Sequence, residues 1–240
     1  KGLQLESISS WMKVNRPIII SGPCSAETED QMVATAKQIA ATGKVHALRA
    51  GIWKPRTRPG QYEGAGVEGL AWLIRAGKET GLPVTTEVAN AAHVEAALKA
   101  GVNFLWVGAR TTVNPFSVQE VADALKGVDI PVLVKNPINP DVELWLGALE
   151  RLNKAGITKL AAIHRGFSSF EKGPFRNAPM WDMAIDLKTR VPELDILCDP
   201  SHIAGNRDLI AMISQKALDL DMAGLMIESH INPDAAWSDA

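Results

Sequence analysis

NFLWVGARTTVNPFSVQEVADALKGVDIPVLVKNP, residues 103–137, decides the fold. The stretch opens with an unbroken apolar run, NFLWVGAR at 103–110, and closes with another, PVLVKNP at 131–137. Between them FSVQEVADALKG has helical spacing. Runs that are apolar at consecutive positions suit parallel strands covered on both faces. Strand, helix and strand in this length make a βα unit with a right-handed crossover.

Working outward, the same unit recurs. Upstream lie PIIISG at 17–22, VHALRAG at 45–51 and LPVTTEV at 82–88; downstream lie TKLAAIHRG at 158–166, LDILCDPSH at 194–202 and AGLMIESH at 223–230. Helical patterns separate them, with Thr28 and Gln31 placed to cap the first. Gly43, Gly81, Gly101 and Gly156 stand where helices should end. Eight units in 240 residues predict an α/β fold of the (β/α)8 TIM barrel class, one domain over 1–240, in preference to an open doubly wound sheet. After the eighth strand only INPDAAWSDA remains, so the closing C-terminal helix is expected to be missing from this chain.

Composition narrows the function. With 46% hydrophobic and 22% charged residues, disorder, collagen and coiled coil are excluded. A net charge of −2 carries no footprint for nucleic acid or an anionic membrane. Two cysteines, Cys24 and Cys198, fit a reducing compartment, with Cys198 in an apolar run as core. No stretch reaches the roughly 18 apolar residues of a span, and no signal peptide opens the chain, so a cytoplasmic protein is expected.

In such a barrel the active site lies at the C-terminal ends of the strands. There the sequence places Cys24, Arg49, Glu87, Arg110, Lys135, Arg165, Asp199 with His202, and Glu228 with His230, in strand order. The second strand also runs into Trp53-Lys54-Pro55-Arg56-Thr57-Arg58-Pro59. One basic residue at a strand end is ordinarily a solvated loop residue. Several converging on one mouth repel each other unless an anion neutralises them, which suggests two phosphorylated substrates. Gly108-Ala109-Arg110 adds backbone N–H groups beside a cation. Cys24, His202, Glu228 and Asp239 form a mixed S, N and O set suited to a borderline divalent ion, with His230 as a substitute ligand. No CxxC or HExxH spacing strengthens that set. Most tryptophans read as packing; Trp53 alone is expected at the mouth.

GPCS at 22–25, LRAG at 48–51, KPRT at 54–57, GAR at 108–110, VKNP at 134–137, IHRGFS at 163–168, DPSH at 199–202 and the Glu228–Asp239 pair occur in one order. The set resembles 3-deoxy-D-arabino-heptulosonate 7-phosphate (DAHP) synthase, of the type I beta form often fused to chorismate mutase. That resemblance implies a transferase of the shikimate pathway, condensing phosphoenolpyruvate with erythrose 4-phosphate. It implies a divalent metal (Mn2+, Fe2+, Co2+ or Zn2+) on Cys24, His202, Glu228 and Asp239. Phosphoenolpyruvate would be held by Arg49, Lys54, Ala109, Arg110, Lys135 and Arg165, with Glu87 nearby. Erythrose 4-phosphate would be held by Pro55, Arg56, Thr57 and Asp199. Lys54, Cys24 and His202 would act in catalysis, Lys54 by moving a proton. A homo-oligomer, dimer or tetramer, and a fused chorismate mutase domain are the implied protein partners. The sequence departs from relatives at Arg58, where many have a small hydroxyl residue, and at His164, where glutamate is frequent. Two rival readings remain: 3-deoxy-D-manno-octulosonate 8-phosphate synthase, whose relatives carry an Asn-Arg-Thr-Ser type segment in place of KPRT, and a catalytically quiet barrel partnering a fused domain.

Overall fold

A computed structural model describes residues 2–239. Eight strands, β1 (Ile18–Gly22), β2 (Ala47–Arg49), β3 (Val84–Val88), β4 (Phe104–Val107), β5 (Val132–Lys135), β6 (Leu160–His164), β7 (Ile196–Cys198) and β8 (Gly224–Glu228), form a closed barrel in sequence order. All neighbours are parallel, and β1 closes on β8 from Ile18↔Gly224 to Gly22↔Glu228. Each strand lies inside the apolar run that predicted it, which is the (β/α)8 class expected.

The helices are α1 (Ile8–Met12), α2 (Glu29–Ala41), α3 (Val67–Thr80), α4 (Ala91–Ala100), α5 (Ala109–Thr112), α6 (Pro115–Ala124), α7 (Val142–Lys154), α8 (Trp181–Arg190), α9 (Pro200–Ala204) and α10 (Ile210–Asp219). Local chemistry sets their ends. Thr28 caps α2 by accepting the Gln31 N–H at 3.1 Å, and Asn90, Asn114 and Asp141 cap α4, α6 and α7 likewise. Gly81 and Gly101 end α3 and α4 in the left-handed conformation.

Two apolar layers follow from the strands' alternation of side chains. The outer layer packs strands against helices around residues such as Leu73, Leu105 and Trp145. The inner layer fills the barrel with Ile18, Ile20, Phe104, Trp106, Leu133, Ile163, Leu197 and Met226. Ile8 of α1 belongs to that inner layer, and Trp11 lies 5.9 Å from the Phe104 ring, so α1 plugs the N-terminal end. This plug was not foreseen, because five residues are too few for a periodic pattern. Behind β8, residues 229–239 form a strap with one 3-10 turn at Pro233–Ala235 and no helix. Pairing of β1 with β8 closes the barrel nonetheless.

Candidate active site

The C-terminal end of the barrel gathers charge around one indole. Trp106 of β4 is 1% exposed, and its Nε1 donates to Glu87 Oε1 at 3.1 Å. The Arg49 guanidinium lies 4.6 Å from the Trp106 ring and Lys135 Nζ 5.8 Å. Such cation–π contacts offset part of the cost of burying cations. Gly108 makes room for this floor: a Cβ there would stand 2.5 Å from the Glu87 carboxyl carbon. Sequence alone marks Trp106 as packing; the structure gives it this second role.

Asp199 anchors the next layer. Its Oδ1 caps α9 by accepting the His202 N–H at 3.0 Å, and its Oδ2 accepts from Lys135 Nζ at 2.8 Å. Burial would push this carboxyl's pKa up, but His202 and Lys135 beside it hold it well below the usual carboxylate range. Asp199 is fully buried beneath the cavity wall, where it orients Lys135 and His202.

Cys24 follows β1 and is 2% exposed. Lys54 Nζ lies 3.1 Å from its Sγ and donates to its carbonyl at 3.2 Å. Gly51 permits that approach, since a Cβ would fall 2.4 Å from the Cys24 oxygen and 2.7 Å from Lys54 Cδ. Burial pulls the Lys54 pKa down, but the Cys24, Glu87 and Glu228 charges outweigh it and raise the net value. Arg49 is 1% exposed, with Nη2 donating to the Cys24 carbonyl at 3.1 Å and Nη1 3.7 Å from Glu228 Oε1.

Ligand atoms of Cys24, Glu228 and Asp239 lie within 4.8 Å of one another. His202 stands at the edge of this group, with Nδ1 3.5 Å from Glu228 Oε1 and Nε2 3.8 Å from Asp239 Oδ2. Glu228 Oε1 is buried without a hydrogen-bond partner, whereas His202 Nδ1 stands 2.7 Å from Asp199 Oδ2, which leaves Nε2 as the nitrogen nearer Asp239. An orphaned carboxylate oxygen beside a thiol and a second carboxylate fits a divalent cation. Asp239 pairs with Arg176 at 2.8 Å; His202 and Arg176 hold its pKa down against the opposing effect of burial. His230 is not the substitute ligand expected. Its Nε2 meets Glu27 Oε2 at 3.0 Å and its Nδ1 accepts the Asn232 N–H at 2.9 Å, which occupies both ring nitrogens.

Above these groups opens a cavity of about 340 Å³. Its wall carries the cations Lys54, Arg56, Arg110, Lys135, Arg165 and Arg176 against the carboxylates Glu87 and Asp239. Pro55, Thr57 and Ala109 complete the parts named from sequence, and Arg110 Nη2 reaches Thr57 Oγ1 at 3.4 Å. Arg49, like Asp199, lies beneath the wall. Burial lowers the Arg165 pKa, and its Nη1 donates to Asn177 Oδ1 at 3.2 Å.

Three wall residues escaped the sequence reading: Gln61, Arg176 and Asn177. Arg176 and Asn177 sit in the long segment between β6 and α8, away from the strand ends; its length was the available signal. Asn177 Nδ2 donates to the His202 carbonyl at 2.7 Å, tying that segment to α9. Trp53, expected at the mouth, stacks on His93 at 4.1 Å instead. Arg58 is exposed and outside the wall. His164 is buried beside Trp145, Phe167 and Trp181, and burial drives its pKa down to about 4.

Known proteins share this fold. A phospho-2-dehydro-3-deoxyheptonate aldolase of Thermotoga maritima is 32% identical over 92% of this chain, which spans 63% of that relative's length. Its crystal structure superposes with a TM-score of 0.82, again over 92% of this chain and 63% of that one. A truncated form of 3-deoxy-D-arabino-heptulosonate 7-phosphate synthase from Thermotoga maritima gives 0.80 at 30% identity, covering 93% of this chain and 78% of that one. A 2-dehydro-3-deoxyphosphooctonate aldolase of Polaromonas naphthalenivorans is more distant, at 26% identity over 92% of this chain and 82% of that protein. The DAHP synthetase I family matches residues 12–240. Barrel topology, charged mouth and family match converge, and the chain belongs to the DAHP synthetase I family.

Proposed function

We propose that the chain condenses phosphoenolpyruvate with erythrose 4-phosphate and water, giving 3-deoxy-D-arabino-heptulosonate 7-phosphate and inorganic phosphate. One observation carries this reading: six cations in one cavity wall beside the Cys24–Glu228–Asp239 group. Such a wall suits two phosphorylated substrates, one of them also a carboxylate.

In this reading Lys135, Arg165 and Arg110, with the Ala109 amide, take the phosphate and carboxylate of phosphoenolpyruvate. Arg56, Thr57 and Pro55 at the rim take the phosphate of the sugar. Cys24, His202, Glu228 and Asp239 would hold a divalent metal, manganese, iron, cobalt or zinc, which supplies Lewis-acid polarisation of an aldehyde. C3 of phosphoenolpyruvate bonds to the aldehyde carbon, and water adds to C2 on the cation this leaves. The added water gives up one proton, and the hemiketal phosphate then breaks its C2–O bond to phosphate as its hydroxyl passes its proton to the departing phosphate, leaving the C2 ketone. Lys54, whose ammonium is stabilised by the charges around it, delivers a proton to the new alkoxide. Arg49, Trp106 and Asp199 keep Cys24, Glu87, Lys135 and His202 in place.

The reading takes 1–240 as one barrel domain acting in the cytoplasm as a homo-oligomer, with chorismate mutase as the candidate fused partner. Both cysteines are free, in keeping with a reducing compartment. The deciding experiment follows loss of phosphoenolpyruvate absorbance with erythrose 4-phosphate or arabinose 5-phosphate, under chelator and after manganese is restored. Turnover of the four-carbon sugar alone, lost to chelator and rescued by manganese, supports the reading. Turnover of arabinose 5-phosphate moves it to the octulosonate reaction. A folded, manganese-loaded protein inert with both sugars overturns it.

A further inference from the structure

The strap after β8 is held in part by the loop that carries Cys24, and one buried carboxylate, Glu27, makes two of the contacts. Glu27 lies three residues beyond Cys24, and its side chain is 5% exposed. Both of its oxygens are engaged by the strap: Oε1 accepts the Trp237 N–H at 2.7 Å and Oε2 meets His230 Nε2 at 3.0 Å. Because His230 Nδ1 accepts from Asn232, the ring proton sits on Nε2 and is donated to Glu27. Around this clasp Ser25 and Ser238 hydroxyls meet at 2.8 Å, and Tyr62 packs edge-on against Trp237 at 5.2 Å. Tyr62 is tied back to the same loop by its hydroxyl, which donates to the Ala26 carbonyl at 2.7 Å.

Two residues beyond Trp237 stands Asp239, within 4.8 Å of the Cys24 and Glu228 ligand atoms. Among residues 229–239 the regular structure is the 3-10 turn at Pro233–Ala235. A carboxylate on such a segment pays for its ordering unless neighbouring contacts have already fixed the backbone. We propose that Glu27 is a positioning residue for the metal site: it clamps the strap at His230 and Trp237 so that Asp239 is held beside Cys24 and Glu228. The proposal rests on the metal reading of Cys24, Glu228 and Asp239 given above. It adds that one loop supplies a ligand directly and holds a second one at a distance.

The test measures Mn2+ binding to the full chain by the electron paramagnetic resonance signal of the free ion, with no substrate present. Four proteins are compared: wild type, Glu27→Ala, Asp239→Ala and the double variant. Outer-shell partners commonly contribute at least about tenfold to metal affinity. Glu27→Ala is therefore expected to weaken Mn2+ binding about tenfold in the wild-type background and to add nothing once Asp239 is gone. Chymotryptic cleavage after Trp237 should also accelerate in Glu27→Ala. Equal losses in both backgrounds, or no loss in either, overturn the clamp while leaving the metal site standing. An Asp239→Ala protein that binds Mn2+ as tightly as wild type overturns the metal reading itself. If Glu27→Ala does not fold, His230→Gln, which spares the Trp237 bond, reads the same coupling with a smaller loss.

Discussion

Strand β7 carries a buried aspartate just before its start and another just after its end, and the two do opposite work. Asp195, at the N-terminal end, accepts the Ile8 N–H at 2.7 Å and pairs with Arg16 at 2.5 Å. It fastens the α1 plug, whose Ile8 is fully buried in the inner apolar layer. Asp199, four residues later, serves His202 and Lys135, the latter one of six wall cations. The lower end uses its carboxylate to satisfy backbone and close a core, which favours stability. The upper end gathers mutually repelling cations and an orphaned carboxylate oxygen, which are costly unless ligands help to neutralise them. One barrel thus separates the end that keeps it folded from the end that reacts.

Substitutions at the two ends should therefore separate turnover from stability. The largest effect belongs to the upper end: Lys54→Met should lower turnover by roughly 10²–10⁴-fold, the range for a lost acid or base, with the unfolding midpoint little changed. A steady-state assay showing less than about a tenfold loss would break the division at once. At the lower end, Ile8→Ala should cost about 3 kcal/mol in urea unfolding, the cost of a cavity in a packed core, and leave turnover intact.

His164 sharpens the contrast through pH. Its folded pKa of about 4 lies below the unfolded value near 6.5, so the unfolded chain binds the proton first. The stability of the neutral ring is complete above about pH 6.5 and lost as pH falls toward 4, by about 3 kcal/mol. His164→Phe should flatten the unfolding free energy across that interval. The smallest effect is expected from Asp195→Ala, about 2 kcal/mol, because it leaves the Ile8 N–H without an acceptor. Thermal unfolding would measure it, and a fall in kcat with no fall in stability would tie the lower end to the chemistry after all.

Much of this was legible in advance because it depends on neighbours along the chain. Apolar runs located all eight strands, and Thr28, Gly81 and Gly101 marked helix ends by local hydrogen bonding and backbone conformation. Strand-end positions and the basic run after β2 named most of the cavity wall, since a parallel barrel sends every strand's C-terminal end to one face. Errors arose where a side chain's direction depends on residues far away in sequence. His230 had the chemistry of a ligand, but Glu27, 203 residues earlier, claims it. Trp53 adjoined the basic run, but His93 offered a stacking partner. Arg176 was missed because nothing near it in sequence says that its segment folds back to Asp239.

The sequence by itself determined the strand and helix order, the barrel class, the charged mouth and the family, because each is written in local pattern or in motif order. Only the tertiary structure decided which cation is buried on Trp106, which aspartate orients and which lines, and what holds the strap that carries Asp239. Those outcomes turn on distances and burial between residues remote in sequence, and burial sets whether a carboxylate or imidazole is paired, orphaned or exposed.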